Sequence, residues 1–107
     1  MRVYQQAIEM NRQVARVAGC IGRRDLDLLR QLRRAAGSVA LNIAEGLGTR
    51  AGNRELRFQT ALGSAREVQA CLDVAEAWGY LGRADGEVRA SVDQTAAMLF
   101  KLVAARR

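Results

Sequence analysis

The sequence predicts an all-α protein, an antiparallel up-down-up-down four-helix bundle that forms a single domain over residues 1–107. Three observations support this fold. Apolar residues recur by steps of three and four in four successive segments, which is the spacing of one helix face. Proline is absent, so no segment is interrupted from within. The connections are short and contain glycine, and helices of similar length joined by short loops alternate in direction.

The four helices are bounded by residues that commonly begin or end a helix. Gly19 and Gly22 are expected to close the first helix, and Gly79 the third, because glycine readily adopts the left-handed conformation at a helix end. Asp25 and Asp27 fall in the first turn of the second helix, where the helix dipole favours carboxylates. The predicted ranges are about residues 2–18, 24–47, 53–78 and 83–105.

The second and third helices form the hairpin around which the rest of the chain is organised. A glycine-broken turn, GLGTRAGN, joins them. On each helix the apolar residues make one continuous stripe that is expected to face the core. The residues predicted for these two core faces are Leu29, Leu32, Ala36, Val39, Ile43 and Gly46, and then Phe58, Ala61, Ala65, Val68, Leu72, Ala75 and Gly79.

A second stripe of small or apolar residues runs along the third helix, about a quarter-turn from its core face. Small residues let another helix approach closely, and surplus apolar surface on a small domain marks an interface. The sequence therefore predicts an oligomer interface here, with a wide core face as the alternative explanation. The stripe consists of Leu56, Gly63, Ala70, Val74 and Ala77.

The composition argues against an enzyme and against a metal or cofactor. The chain has no histidine, two cysteines and five aromatic residues, so zinc sites, thiol–imidazole pairs and stacked cofactor pockets lack their usual groups. Cys20 and Cys71 are expected to be small buried apolar residues. Glu45 and Glu67 are not placed together by their spacing. Apolar runs too short to span a bilayer and the lack of a leader pattern predict a cytoplasmic protein that does not enter a membrane.

The net charge of +6 lies entirely in the first half of the chain. Up to Arg57 there are eleven arginines and five acids, whereas the remainder has six of each sign. A GC-rich genome would explain arginine in place of lysine but not this asymmetry, and the guanidinium group suits phosphate. Two alternatives stay open, a solvated basic face without a partner and a basic surface on the first helix at Arg2, Arg12 and Arg16. The predicted nucleic-acid-binding residues are Arg33, Arg34, Arg50, Arg54 and Arg57.

Asn42 and Glu45 are unusual residues for the last turns of a helix. Asparagine is a weak helix former, and a carboxylate there meets the negative end of the helix dipole. Two such residues within one turn indicate a compensating tertiary contact. We expect an arginine or backbone N–H groups at the start of the third helix to pair with Glu45, and Asn42 to bond to the backbone in the same corner.

Three segments, QLRRAAGSVALNIAEGLG, ALGSAREV and WGYL, resemble the bacterial four-helix-bundle family of proteins encoded in intervening sequences of 23S ribosomal RNA genes. That family includes relatives resembling the accessory variability protein of diversity-generating retroelements. The sequence departs from the family pattern at Ala40, where proline is common, and at Gly37, where serine is common. Asn42, Glu45 and Gly46 match the NIAEG element and are carried over as structural residues of the turn.

The resemblance implies a homo-oligomer, in the family a pentamer around a central opening, with no catalytic site. For the retroelement relatives it also implies binding to nucleic acid and to a reverse transcriptase. The sequence thus predicts a non-catalytic, oligomeric accessory protein that binds the backbone of RNA or DNA, and that supports a reverse transcriptase if it follows those relatives. The alternative is a protein-interaction scaffold with no nucleic-acid binding of its own.

Overall fold

The computed structural model describes residues 2–82 and 85–105, and within them it contains four α-helices and no strand. Each helix packs against two others, so that α1 contacts α2 and α4, and α3 contacts the same two helices. The molecule measures 42 × 22 × 20 Å. The predicted all-α fold with four helices is confirmed. The helices are α1 (Arg2–Gly22), α2 (Leu26–Leu47), α3 (Ala51–Ala77) and α4 (Gly86–Ala104).

Polar contacts between the helices fix their register. At one end of α1, the Gln6 side-chain amide donates to the Thr95 hydroxyl of α4 at 3.3 Å. Further along α1, Arg16 lies 3.3 Å from Glu87 of α4, so rising residue numbers on α1 meet falling numbers on α4. Thr95 is fully buried, and it also donates to the Ser91 carbonyl at 2.8 Å. This polar residue is therefore accommodated in the core with its hydrogen bonds satisfied.

The core is made by the apolar faces that the periodicity predicts. Along the hairpin the predicted residues are buried, except that Leu29 is only partly buried and Gly79, which lies beyond the end of α3, is exposed. Phe58 is the largest of the fully buried side chains. The buried members of the two hairpin faces are Leu32, Ala36, Val39, Ile43 and Gly46 on α2, and Phe58, Ala61, Ala65, Val68, Leu72 and Ala75 on α3.

The first helix is one turn longer than predicted. It continues through Gly19 and ends at Gly22 instead of stopping near residue 18. Ile21 explains the difference because it is fully buried in the core. Burying an isoleucine side chain contributes about 1.5–3 kcal/mol, which exceeds the roughly 1 kcal/mol that one helical glycine costs relative to alanine.

The start of α1 at Arg2 and the end of α2 at Leu47 agree with the prediction, and the remaining ends of α2, α3 and α4 differ from it by one to three residues. Asp25 is the residue that caps α2, since its carboxylate accepts a hydrogen bond from the Leu28 N–H at 2.9 Å. α3 begins at Ala51, two residues before the predicted start. The predicted start of the fourth helix at Arg83 lies outside the described residues.

The glycine predicted to end the third helix does so. Gly79 has φ +76°, in the left-handed region that favours glycine. The Tyr80 N–H bonds to the Ala75 carbonyl at 2.8 Å and the Gly79 N–H to the Glu76 carbonyl at 2.9 Å, which is the Schellman pattern. The expectation for Gly79 is confirmed.

Two expectations about burial need correction. The five residues of the second α3 stripe are all exposed, with Leu56 59% and Val74 43% accessible. At 100° per residue they lie nearly opposite the core, rather than a quarter-turn from it. The stripe is therefore not a widened core face of the protomer.

The two cysteines also differ from each other. Cys71 is buried, as expected, and burial raises the pKa of its thiol, with a smaller contribution from the charge of Glu67. Cys20 is exposed near the end of α1, so the expectation of burial is wrong for this residue.

Among the described residues, no helix is both long and apolar enough to cross a bilayer.

Candidate nucleic-acid interface

A shallow groove of about 490 Å³ runs along the outward side of α2, where α3 packs beside it. The groove residues on α2 are spaced by one, three and four, which places them on the helix face away from the core. Arg57 extends from the second turn of α3 to close the groove. The groove is lined by Arg33, Arg34, Gly37, Ser38, Leu41, Asn42, Glu45 and Arg57.

Three guanidinium groups and one carboxylate give this groove a positive balance. Arg33 and Arg34 are exposed, and neither forms an ion pair within residues 2–82 and 85–105. Arg57 is paired, with its Nη1 3.1 Å from Oε2 of Glu45. Both partners of that pair remain about half-exposed, at 46% for Arg57 and 57% for Glu45. All three arginine side chains are therefore accessible at the groove.

The predicted compensation of Glu45 by an arginine is confirmed, and Asn42 belongs to the same cluster. The Asn42 amide donates to the Ser38 carbonyl at 2.9 Å, and its oxygen accepts from Arg57 at 3.4 Å. Asn42 thereby connects the backbone of α2 to the guanidinium of α3. Because Glu45 is largely exposed, its ion pair stabilises the fold less than a buried pair would.

Gly46, the third residue of the predicted turn motif, has a packing role. It is buried, and a Cβ added there would lie 2.9 Å from Cε1 of Phe58 and 3.2 Å from Cβ of Arg57. Only glycine lets α3 approach α2 this closely. The close approach brings Arg57 within reach of Glu45 and the groove.

The other two predicted arginines lie at the turn rather than in the groove. Arg54 is partly buried and donates from Nε to the Gly46 carbonyl at 3.2 Å and from Nη2 to the Leu47 carbonyl at 3.5 Å. These carbonyls belong to the end of α2, which has no further helical turn to satisfy them. Arg50 is exposed at the N-cap position of α3. The structure thus brings three of the five arginines into one groove and gives Arg54 a capping contact.

Sequence reasoning missed Leu41, which is 67% exposed and lines the middle of the groove. The sequence contained a usable signal for it. Leu41 lies two residues from each of the buried residues Val39 and Ile43, and residues two apart on a helix point to nearly opposite sides, so Leu41 cannot face the core. It provides an apolar contact between cationic groups. A sugar or base edge fits such a contact better than a phosphate does.

The alternative basic surface on α1 is more fully neutralised. Arg12 pairs with Glu9 at 3.4 Å, and Arg16 pairs with Glu87 at 3.3 Å. A hydrogen bond from Gln13, together with the two arginines, lowers the pKa of the exposed Glu9 carboxyl. Arg2 lines a different groove between α1 and α4. These cations do not converge on one place as those of the α2 groove do.

The arrangement of the α2 groove suits electrostatic binding of a polyanion. Arginine can donate two hydrogen bonds to one phosphate, and partly exposed guanidinium groups do so without a large desolvation cost. The groove lining contains no aromatic side chain for stacking. Its chemistry therefore favours backbone contacts over readout of base identity.

The fold and the groove define a small helical protein with a basic surface between two adjacent helices. The family model described as 23S rRNA-intervening sequence protein matches residues 1–101, and the chain belongs to that family. This confirms the resemblance to the family of 23S rRNA intervening-sequence proteins.

Solved structures add evidence on the fold. The chain is similar to a crystal structure of a protein with unknown function from the S23 ribosomal protein family of Bacteroides thetaiotaomicron. The TM-score is 0.86 at 15% identity, over 94% of this chain and 97% of that one. At this identity the likeness shows the fold alone. Among curated proteins, none matches the chain.

Proposed function

We propose that this protein is a non-catalytic, nucleic-acid-binding accessory protein that contacts the phosphate backbone through the α2 groove. The observation that carries the proposal is the convergence of Arg33, Arg34 and Arg57 on one accessible groove that has a single carboxylate. Phosphate contacts of this kind supply most of the affinity in sequence-independent binding. The family description, which refers to 23S rRNA, favours RNA as the natural ligand.

The proposal includes assembly of antiparallel up-down-up-down protomers into a homo-oligomer, with a pentamer as the expected form. The exposed stripe of α3 supports it, because five small or apolar residues face solvent along the length of one helix. Symmetry would repeat the α2 groove around the assembly. A repeated groove raises the effective concentration of binding sites along one nucleic-acid strand.

The proposed setting is the cytoplasm, where the oligomer would bring nucleic acid to an enzyme that acts on it. A reverse transcriptase is the partner implied by the resemblance to the retroelement accessory proteins. Support within the chain comes from the separation of the basic α2 groove from the α3 stripe, because self-assembly through the stripe leaves the groove open to nucleic acid.

The test compares two adjacent arginine pairs. Arg33→Gln with Arg34→Gln removes the groove pair, whereas Arg23→Gln with Arg24→Gln removes an exposed pair at the α1–α2 turn. Both double variants lower the net charge by two. Only the groove variant should flatten the plot of log affinity against log salt. For single-stranded RNA the slope should become less negative by about 1.4 if both contacts are lost.

Binding is measured by fluorescence anisotropy with a short single-stranded RNA and with DNA of the same sequence. Both nucleic acids should respond about equally, since backbone contacts carry little sequence information. Equal losses in the two double variants would mean that overall charge, rather than the groove, determines the affinity. That result would refute the assignment of the groove.

A second candidate function is a protein-interaction scaffold that binds no nucleic acid. It is favoured by the α3 stripe and by Trp78, which is 70% exposed at the end of the same helix. Tryptophan is enriched among residues that dominate protein interfaces. If the wild-type protein binds neither RNA nor DNA near about 50 mM salt, where electrostatic binding is strong, this second function replaces the first.

A further inference from the structure

The groove assigned to phosphate already holds one internal anion. Glu45 lies 3.1 Å from Arg57, the only groove guanidinium contributed by α3. Arg33 and Arg34 have no such partner in the described parts of the chain. Glu45 therefore neutralises one of three cations at the place where a phosphate would bind.

The hydrogen bonds that satisfy the last carbonyls of α2 do not involve the Glu45 carboxylate. Glu45 lies in the last turns of the helix, where the dipole disfavours an anion. The carbonyls of Gly46 and Leu47 accept hydrogen bonds from Arg54, and the Gly48 N–H bonds to the Glu45 backbone carbonyl at 3.2 Å. Capping thus depends on Arg54, on the backbone and on the Thr49 hydroxyl, which donates to the Gly46 carbonyl at 3.2 Å. The Glu45 carboxylate only accepts hydrogen bonds and takes no part in capping, so it is free to serve another purpose.

We propose that Glu45 is an internal competitor for nucleic-acid phosphate. Its carboxylate holds Arg57 in the free protein, and binding exchanges this ion pair for a phosphate contact. The inference rests on the proposed function of the groove. Exposed ion pairs contribute little net free energy, so a polyanion that also contacts Arg33 and Arg34 displaces Glu45 readily. The carboxylate then limits affinity and favours ligands with several phosphates over a single anion.

Asn42 keeps Arg57 at the groove during this exchange. Its oxygen accepts from the same Nη1 atom at 3.4 Å, and its own amide is held by the Ser38 carbonyl. When the carboxylate moves away, the guanidinium retains a neutral partner that does not repel phosphate. Arg57 therefore remains aimed at the groove in both states.

The test compares two Glu→Gln variants. Glu45→Gln releases Arg57, and Glu87→Gln breaks a similar exposed pair between helices, that of Glu87 with Arg16 on the α1–α4 side. Each variant adds one unit of positive charge. With a short single-stranded RNA as probe, Glu45→Gln should bind about two- to fivefold more tightly than Glu87→Gln. Its plot of log affinity against log salt should be steeper by about 0.7.

A second set of variants, made in Arg57→Gln protein, tests whether the gain in RNA affinity depends on Arg57. In Arg57→Gln protein, adding Glu45→Gln should tighten binding no more than adding Glu87→Gln does, because the contested cation is absent. A full gain in that background would overturn the competition mechanism, since it would show simple repulsion between Glu45 and the ligand. Thermal melts of each variant verify that the proteins compared are folded.

The outcomes separate this inference from the proposed function. If wild type binds RNA and Glu45→Gln binds no more tightly than Glu87→Gln, the competitor role is refuted while the groove assignment stands. If Glu87→Gln gives the larger gain, the binding surface is on α1 and both are refuted. If no protein in the series binds RNA or DNA near about 50 mM salt, the nucleic-acid function itself fails.

Discussion

α2 and α3 are consecutive helices of one hairpin, and their outward faces have opposite chemistry. α2 presents Arg33 and Arg34 beside exposed Leu41, whereas α3 presents the five-residue stripe from Leu56 to Ala77. Their inward faces are alike, since both are continuous and apolar. The shared inward pattern produces the hairpin. The outward faces carry what distinguishes this protein from a generic bundle, and they suit different partners, one a polyanion and the other a packed protein surface.

The largest effect should come from a charge placed in the α3 stripe. Ala70→Glu would bury an unpaired carboxylate in the proposed interface, which costs several kcal/mol, so the oligomer should dissociate completely at micromolar concentration. Helical content should not change, because Ala70 is exposed in the protomer. Native mass spectrometry and circular dichroism measure the two quantities.

Ala44→Glu is the matched control, since Ala44 is an exposed alanine on α2, outside the stripe. This variant should keep the wild-type mass. If the wild-type protein is already a monodisperse monomer, the α3 stripe is not an oligomer interface but ordinary solvent-exposed surface.

The second-largest effect tests the close approach of α3 to α2 at Gly46. Gly46→Leu should lower the free energy of unfolding by about 2 to 3 kcal/mol, because the new side chain must displace the buried ring of Phe58. It should also weaken RNA binding by shifting Arg57. Urea unfolding and anisotropy report the two losses.

Gly37→Leu on the outward side of α2 serves as the comparison, because a Cβ there meets no atom of the described structure within 4 Å. We expect no loss of stability from this change. Because Gly37 lines the binding groove, this comparison uses stability alone. Similar losses of stability in both variants would show that Gly46 is not a point of close contact.

A smaller effect separates the two arginines at the turn. Arg54→Gln should cost about 1 to 2 kcal/mol of stability, because the carbonyls of Gly46 and Leu47 lose a charged donor. Arg50→Gln should stay within about 0.5 kcal/mol of wild type, as for other exposed positions. Chemical denaturation of the two single variants measures the difference. Equal stabilities would mean that water replaces the Arg54 contacts without loss.

The smallest effect compares two glycines, one on the outward side of each helix, where an added Cβ meets open space. Gly37→Ala and Gly63→Ala should each stabilise the isolated protomer by about 0.5 to 1 kcal/mol, because alanine is the better helix former and both sites are open. Only Gly63→Ala should weaken self-association, through a methyl group in the proposed interface. Sedimentation over a concentration series tests this. Unchanged association in both variants would argue against close packing at Gly63.

Much of the fold follows from the sequence, because helix periodicity is a local property. The buried faces of the hairpin were predicted almost completely, with Leu29 only partly buried and Gly79 exposed. The helix ends were less accurate. Ile21 extends α1 past Gly19 because its burial depends on packing against other helices, which no local pattern contains.

The candidate interface was predicted in part. Arg33, Arg34 and Arg57 line one groove, but Arg54 contacts backbone carbonyls and Arg50 lies at the turn. The partner of Glu45 was predicted as either an arginine or backbone N–H groups at the start of the third helix, and the particular arginine was not specified. Which arginine reaches Glu45 depends on the position of α3 along the axis of α2, and the close contact between Gly46 and Phe58 fixes that position.

The sequence by itself determined the helical class, the inward faces, the charge asymmetry and the family, because each is encoded by residue type and spacing along one chain. Tertiary structure alone decided that Cys20 is exposed and that Glu45 pairs with Arg57. The physical reason is that these properties depend on distances between residues far apart in sequence. Such distances are set when side chains from different helices compete for the same space in a close-packed core.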